Sequence, residues 1–417
     1  MISKILNCQM PIYVLETKKF KTNLFGFSFV LPLSDKYLKE LTILAQAFTK
    51  YTKSAKTERD LAYKLNNLYD SQIFYNFEKK GKVLQITFYL HVISSKYIKS
   101  DTFLKDVLDL FLEVVFEKKD WTNELLQKEI KLYIESLKSK SANSYYVCGK
   151  NLLDVMFENE TYRLNLDVTS GDVQKITLES LNEAYEYLMN ANKFGFVIGN
   201  NLSNTLEFFT KSLSASNNLP FEIIDTEDKN IQNIKFKEVY MNVTQSTLAL
   251  GYRTNIRVNS KEYFAMCVLN KYLGGGYDSL FINEIREKYN LVYQINSEYD
   301  WYKGIMIVNA GINYNDFQLV SNLIEKLITD VKCGIVDEVL FDAVKKQLIT
   351  EQLDADDNLL SLIEIVNQKY FFEKNTITNE EKIERINGIS ADDIINASKK
   401  LKLDTVVLVG KEMPDDN

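Results

Sequence analysis

The two halves of this 417-residue chain repeat one order of helices and strands. The run ITLESLNEAY…FGFVIG, which starts at Ile176, has a partner in ISADDIINAS…TVVLVG, which starts at Ile389. The paired positions lie 211 to 220 residues apart and keep the same order: Thr177 with Ser390, Gly199 with Gly410, Ile130–Leu137 with Lys346–Leu353, and Leu65 with Ile285. Chance similarity between amphipathic helices could produce one of these pairs, but hardly all of them in the same order. The repeat therefore predicts a duplicated domain.

The duplication predicts two domains, residues 1–220 and residues 232–417. The stretch between them, Leu213–Asn233, is polar and contains the turn-rich runs SASNNLP and DTEDKNIQN. Each half mixes helical and strand patterns without a regular βαβ alternation. The predicted fold class is therefore α+β, with two homologous mixed α/β domains arranged like a clamshell. Ser390 and Asp393 also have the spacing of a helix capping box.

The amino-acid composition and net charge argue against some classes of binding partner. Hydrophobic residues make up 46% of the chain and charged residues 26%, which is typical of a globular protein. The net charge of −7 argues against nucleic acid or an anionic membrane as the main partner. No apolar run approaches the roughly 20 residues of a membrane span, and the N-terminus does not resemble a signal peptide. The cysteines are far apart and indicate reduced thiols in a cytoplasmic protein: Cys8, Cys148, Cys267 and Cys333.

One stretch, Tyr272–Ser297, predicts a glycine turn, a helix, a stop and a strand. The helix has an apolar face at three- and four-residue steps that includes Ile285 and Tyr289, and Asn290 suits the left-handed residue that closes a helix. The triplet Gly274, Gly275 and Gly276 is either a sharp turn between helices or a substrate-facing loop. No Lys-Ser or Lys-Thr follows it, so a phosphate-binding loop is not indicated.

Arg286 and Tyr293 are the candidate substrate contacts in this stretch. A guanidinium offers five donors and a phenol offers one, so together they could hold a peptide carbonyl and stabilise negative charge on it. The alternatives are a solvated arginine on a helix flank and a tyrosine in the core. The residues alone leave both interpretations open.

The run GGGYDSLFINEIREKYNLVYQINS resembles the C-terminal-domain signature of the pitrilysin/insulinase-like zinc peptidases, a family that includes the mitochondrial processing peptidase. The resemblance implies that Arg286 and Tyr293 contact substrate beside the zinc, and that the chain is built from paired homologous α+β domains. Within this family, the chain most resembles bacterial proteins that lack the metal motif, of the type associated with elongation factor P modification.

The metal motif of active family members, H-x-x-E-H, is missing. The corresponding helix, Leu38–Tyr51, has no histidine, and His91, the one histidine of the chain, is expected to be structural within a strand. Glu129 and Glu135 lie where the resemblance places a third zinc ligand, and both are interpreted as solvated helix carboxylates. We therefore expect no metal and no cofactor in this chain. No G-x-S-x-G motif or second histidine supports a nucleophile.

Three functional hypotheses follow. In the first, the chain is inactive alone and is the non-metal-binding subunit of a heterodimeric zinc metallopeptidase, in which a homologous partner holds the zinc and Arg286 and Tyr293 contact a peptide substrate. In the second, it is a non-catalytic scaffold or peptide-binding protein. In the third, it is a degenerate paralogue that retains Arg286 and Tyr293 for packing.

Overall fold

The computed structural model describes residues 2–5, 10–202, 206, 221–224, 231–372 and 377–411. They form two compact units. The first unit comprises Met1–Leu137, Leu166–Ile223 and Ala355–Thr376, and the second comprises Lys138–Asn165, Ile224–Asp354 and Ile377–Asn417. The predicted linker Leu213–Asn233 lies largely outside the described residues. No helix within the described ranges is both long and apolar enough to cross a membrane.

The elements up to residue 199 begin with a strand pair. The strands are β1 (Ile2–Ile5), β2 (Ile12–Glu16), β3 (Thr22–Pro32), β4 (Gln72–Lys80), β5 (Val83–Ile93) and β6 (Asn192–Gly199). The helices are α1 (Leu38–Phe48), α2 (Glu58–Asn67), α3 (Phe103–Phe116), α4 (Asn123–Ser141), α5 (Ser144–Met156), α6 (Ser170–Val173) and α7 (Leu178–Met189), with 3₁₀ turns at Ser95–Tyr97 and Thr161–Arg163.

The elements after residue 231 follow a similar order. The strands are β7 (Lys235–Tyr240), β8 (Ser246–Arg253), β9 (Val292–Asp300), β10 (Ile305–Ile312) and β11 (Lys402–Gly410). The helices are α8 (Tyr263–Leu273), a π-helix (Ile282–Lys288), α9 (Phe317–Lys332), α10 (Glu338–Ala355), α11 (Leu362–Phe371), α12 (Asn379–Asn387) and α13 (Ala391–Ser398), with a 3₁₀ turn at Tyr314–Asp316.

The two sheets have corresponding topologies. The strand order is β1-β2-β6-β3-β5-β4 in the first unit and β7-β11-β8-β10-β9 in the second. Apart from β1, each strand of one sheet has a counterpart in the other. The pairs β2/β6 and β7/β11 are parallel, and the remaining matched pairs are antiparallel. This agreement confirms the predicted fold class of two homologous mixed α/β domains.

The caps at the repeat positions correspond as well. Thr177 Oγ1 accepts from the Ser180 N–H at 3.1 Å, and Ser390 Oγ accepts from the Asp393 N–H at 3.3 Å. In each case the backbone N–H of the N-cap residue donates to the side chain of the third helical residue, which completes a capping box. The capping box predicted at Ser390 is confirmed.

Helix α5 packs on the sheet of the second unit although it lies in the first half of the sequence. Successive side chains of β8 point to opposite faces of the sheet. Leu248 and Leu250 therefore lie in the main core, while Ala249 lies in a smaller core with Cys148 and Leu152 of α5. This side of the sheet is tightly covered: a Cβ at residue 251 would lie 2.8 Å from the sulfur of Met156.

Helix α11 packs on the sheet of the first unit although it lies in the second half of the sequence. Gln85 on β5 donates to the Asn367 side chain at 3.0 Å, and the ring of Tyr370 stacks on Phe194 with centroids 4.1 Å apart. The units therefore differ from the contiguous domains 1–220 and 232–417 in two segments, 138–165 and 355–376. Amphipathicity shows that these helices cover a sheet, but not which of two similar sheets.

A buried ion-pair network fixes the α5 segment in the second unit. Arg253 on β8 pairs with Asp404 at 2.6 Å and with Glu160 at 2.7 Å, and it also donates to the Met156 carbonyl at 2.8 Å. Lys303 pairs with Glu160 at 2.6 Å. Because these charges are removed from water, each depends on its partners, and loss of one partner is costly.

Candidate functional site

Arg286 lies in a helical segment that winds as a π-helix, Ile282–Lys288. At its end the Tyr289 N–H donates to the Glu284 carbonyl, five residues back, at 3.2 Å. Such turns are rare and are frequently found at functional sites. The sequence predicts a helix here but not its winding, because an apolar face at four-residue spacing fits either form.

Asn290 follows the C-cap residue Tyr289 and closes the helix, as predicted. Asn290 has a φ of 53°, in the left-handed region that asparagine tolerates. The next N–H, of Leu291, donates to the carbonyl of the buried Ile285 at 3.2 Å. Tyr289 was expected on the apolar face but is half exposed, because it is the C-cap residue at which the chain turns away.

Tyr293 is the extra residue of a β-bulge between β9 and β10. Gln294 opposes Gly311 in the ladder, and Val292 opposes Ile312, so Tyr293 has no partner strand residue. Tyr293 and Gln294 are consequently both exposed, whereas Val292 is buried. Bulges often occur beside active sites, where they redirect a side chain.

Arg286 and Tyr293 line one depression of the second unit, with a volume of about 490 Å³. The turn at Asn290 brings the two side chains to the same side of the unit. The depression is lined by Gln245, Arg286, Glu287, Asn290, Leu291, Val292, Tyr293, Gly311, Ile312 and Asn313. The structure therefore brings together the two residues that the sequence singles out.

Neither side chain is used for core packing. Tyr293 is 75% exposed, and the Arg286 side chain is 49% exposed. The Arg286 Nε lies 3.6 Å from a Glu287 carboxylate oxygen, and such an exposed pair contributes only about 0–1 kcal/mol. Among the residues that the structure describes, the Tyr293 hydroxyl has no hydrogen-bond partner. Both groups are thus available to a ligand.

The glycine triplet is a tightly packed turn between α8 and the helical segment that contains Arg286. The N–H groups of Gly274 and Gly275 donate to the Asn270 carbonyl at 3.1 and 2.9 Å, and the Gly274 carbonyl accepts from the Ser297 N–H at 3.0 Å. A Cβ at Gly274 would lie 2.8 Å from the ring of Phe281. The geometry favours the turn over the loop, and none of the triplet is among the residues that line the depression. Substrate contact by the triplet stays a prediction.

Two further residues of the depression belong to no motif in the sequence. Gln245 and Gly311 line it, and a Cβ at Gly311 would lie 2.6 Å from the Tyr145 hydroxyl and 2.9 Å from the Gln245 side chain. Burial raises the pKa of Tyr145. A glycine inside a strand indicates a bulge or a close backbone approach, which is the signal that was available.

The interpretation of Glu129 as a solvated carboxylate is wrong. Glu129 is fully buried and accepts hydrogen bonds from Gln46 Nε2 at 2.7 Å, Lys50 Nζ at 3.0 Å and the Tyr51 hydroxyl at 2.7 Å. It lies on the inner face of α4, whereas Glu135 is exposed as predicted.

Glu129 and its neighbours do not fit the zinc ion that active members of the family bind. The Glu129 carboxylate is already bound by three hydrogen-bond donors. Within the described ranges, no group of three or more His, Cys, Asp or Glu residues could hold a metal.

The histidine and the cysteines have structural surroundings. His91 lies within β5, its Nε2 is 2.9 Å from Thr22 Oγ1, and burial lowers its pKa. Burial raises the pKa of Cys148 and of Cys267 to about 12, which disfavours the reactive thiolate. Cys333 is exposed, and Cys8 lies outside the described residues.

The fold is that of metallopeptidase-like proteins, and the chain is similar to inactive homologues of the pitrilysin, or M16, type. Residues 175–348 match the family model described as "Peptidase M16 inactive domain". The chain is 27% identical over 405 residues to the "Probable inactive metalloprotease YmfF" of Bacillus subtilis (strain 168), covering 95% of this chain and 94% of the relative.

Two solved structures share the fold. A conserved protein from Enterococcus faecalis V583 has a TM-score of 0.91 and 22% identity, with 100% of both chains covered. A peptidase M16 inactive domain from Pseudomonas fluorescens has a TM-score of 0.82 and 14% identity, with 99% of this chain and 98% of the other covered. Both structural matches show the shared fold. The family model and the Bacillus subtilis relative support the predicted resemblance to inactive proteins of the M16 type.

Proposed function

We propose that this chain is the non-metal-binding subunit of a heterodimeric zinc metallopeptidase. A homologous partner that carries H-x-x-E-H supplies the zinc, and this chain supplies Arg286 and Tyr293 to the carbonyl of the scissile peptide bond. The observation that carries the proposal is that both side chains line one depression and keep their donors exposed.

The division of roles follows from the chemistry. Zinc polarises the carbonyl and activates water, which requires ligands that this chain lacks within its described residues. Stabilising the oxyanion requires donors held in place, and these need no metal of their own. The π-helix and the β-bulge hold Arg286 and Tyr293 on backbone elements that are fixed by Asn290 and by the ladder to Gly311.

Reconstitution with a zinc-bearing protein of similar size from the same cell tests the proposal. A fluorogenic peptide should be cleaved only when both chains are present, and a zinc chelator should abolish cleavage. Arg286→Ala should lower kcat by about 100-fold, the scale of a lost oxyanion donor. Arg163→Ala is the matched control, because Arg163 is 53% exposed and has one weak carboxylate neighbour at 3.8 Å. Full activity of the Arg286→Ala complex contradicts the proposal.

A scaffold or peptide-binding protein is the second candidate. It is favoured by the exposed Arg286–Glu287 pair and by the name of the Bacillus subtilis relative, which is described as inactive. A scaffold would bind its partner or a peptide. In that function, replacement of Arg286 would not change peptide cleavage. The reconstitution assay separates the two functions, since partner binding without new hydrolysis supports the scaffold. The link to elongation factor P modification stays a prediction.

A further inference from the structure

The first unit contains a buried carboxylate, that of Glu129, surrounded by hydrogen-bond donors. Glu129 on α4 has no exposed surface and is bound by three donors from the end of α1. Gln46 and Lys50 both donate to Oε2, and the Tyr51 hydroxyl donates to Oε1. A carboxylate held in this way is fully satisfied on the side that faces α1.

The charge of Glu129 is balanced by one close cation. Lys50 Nζ lies 3.0 Å from the carboxylate, and its side chain is 19% exposed. Lys128 Nζ is one step further away, 3.1 Å from the Tyr51 hydroxyl. A buried carboxylate without such a partner is strongly unfavourable, so the Lys50 ammonium is the group that stabilises the Glu129 carboxylate inside the unit.

The spacing of the donors matches that of a metal motif. Gln46 and Lys50 are four residues apart at the end of α1, where the Tyr51 N–H still donates to the Ala47 carbonyl at 3.2 Å. In H-x-x-E-H the two histidines are also four apart on one helical face, and the third ligand comes from elsewhere. The run Gln46-Ala-Phe-Thr49-Lys50 thus presents an amide and an ammonium at the spacing with which that motif presents two imidazoles.

We propose that the Lys50 ammonium is a built-in cation that replaces a metal ion at Glu129, and that it closes the first unit to zinc. An ammonium has no lone pair for a metal, and it occupies the carboxylate oxygen that would face one. Glu129 is the anchor of the cluster, and the groups opposite it are hydrogen-bond donors. This inference does not depend on the proposed function.

Zinc binding by designed variants tests this replacement. The double variant Gln46→His/Lys50→His restores two imidazoles opposite Glu129 and should bind one zinc per chain, measured by competition with a chromophoric chelator. The matched control is Lys105→His/Asp109→His, an exposed pair with the same spacing on α3. We expect at least tenfold tighter binding at the Glu129 position, and adding Glu129→Gln should reduce it to the control level. The unmodified chain should retain no stoichiometric zinc.

Two results would overturn the proposal. One is zinc binding by Gln46→His/Lys50→His that is no tighter than by the α3 control. The other is a zinc ion retained by the unmodified chain and released by Glu129→Gln.

If the double variant does not fold, thermal unfolding decides. Lys50→Met should lower the midpoint more than Lys128→Met does, and Lys50→Met/Glu129→Gln should recover part of the loss because the unpaired charge is gone. Equal midpoints for Lys50→Met and Lys128→Met would show that Lys50 is not the required cation.

Discussion

Tyr293 is the unpaired residue of a β-bulge whose opposite strand carries Gly311 at the point where the register shifts. The glycine lets the Tyr145 hydroxyl and the Gln245 side chain approach the backbone behind the bulge. Gly311 thus allows close packing of the backbone behind the exposed Tyr293 phenol.

Gly311→Ala should destabilise the second unit by about 1–3 kcal/mol, as overpacking does. The new methyl group would lie 2.6 Å from the Tyr145 hydroxyl, so Tyr145→Phe should recover part of the loss in the double variant. Gly149→Ala is the control, because nothing lies within 4 Å of a Cβ there. Chemical denaturation measures all of these variants, and equal stability of Gly311→Ala and Gly149→Ala would show that the bulge is not tightly packed.

Arg253→Met should destabilise the chain by about 3–5 kcal/mol, because it removes the cation that pairs with the buried Asp404 and one of the two cations that pair with Glu160. Arg253 is 6% exposed and pairs with Asp404 and Glu160. The exposed Arg163→Met should change the free energy of unfolding by less than about 0.5 kcal/mol. Similar losses for the two variants, measured by urea denaturation, would argue against the network as the anchor of the α5 segment.

Glu160 should contribute an acid-sensitive part of the stability. Burial raises its pKa, but hydrogen bonds from Arg253 and Lys303 outweigh burial and hold the pKa below its usual 4.5. The pKa is thus lower in the folded state, so this stability is present above about pH 4.5 and is lost as the pH falls through the folded-state value.

Replacement of this carboxylate tests that pH dependence. Glu160→Gln should reduce stability at pH 7 and flatten its decline between about pH 5 and pH 3. The exposed Glu158→Gln is the control. An unchanged acid profile in Glu160→Gln would exclude this contribution.

Thiol labelling should discriminate between the described cysteines. Cys148 is fully buried with its pKa raised to about 12, whereas Cys333 is exposed. Iodoacetamide at pH 8 should therefore modify Cys333 in the native protein and reach Cys148 only after unfolding, as peptide mapping can show. Equal native rates would mean that α5 separates readily from its sheet.

The repeat in the sequence was sufficient to predict the fold class. Thr177 and Ser390 are matching N-caps, and Gly199 and Gly410 end matching strands. Local rules decide these features, since a cap or a strand end depends on a few neighbouring residues. The assignment of α5 and α11 to units could not be predicted, because an apolar helix face fits either of two similar sheets.

The site was predictable in part. Arg286 and Tyr293 are singled out by the family resemblance, and the left-handed Asn290 is as expected from the helix pattern. The π-helix and the bulge depend on tertiary packing, which no local pattern encodes. Glu129 was misinterpreted because its burial depends on donors from α1, some 80 residues earlier in the chain.

The most direct measurement is kcat of the reconstituted two-chain peptidase with Tyr293→Phe in this subunit. Tyr277→Phe is the matched control, since Tyr277 is 96% exposed and is not among the residues that line the depression. Loss of a donor that acts in the transition state should lower kcat by at least tenfold and leave KM nearly unchanged, while Tyr277→Phe remains fully active. Equal kcat values for the two complexes would contradict a role for Tyr293 in peptide-bond hydrolysis.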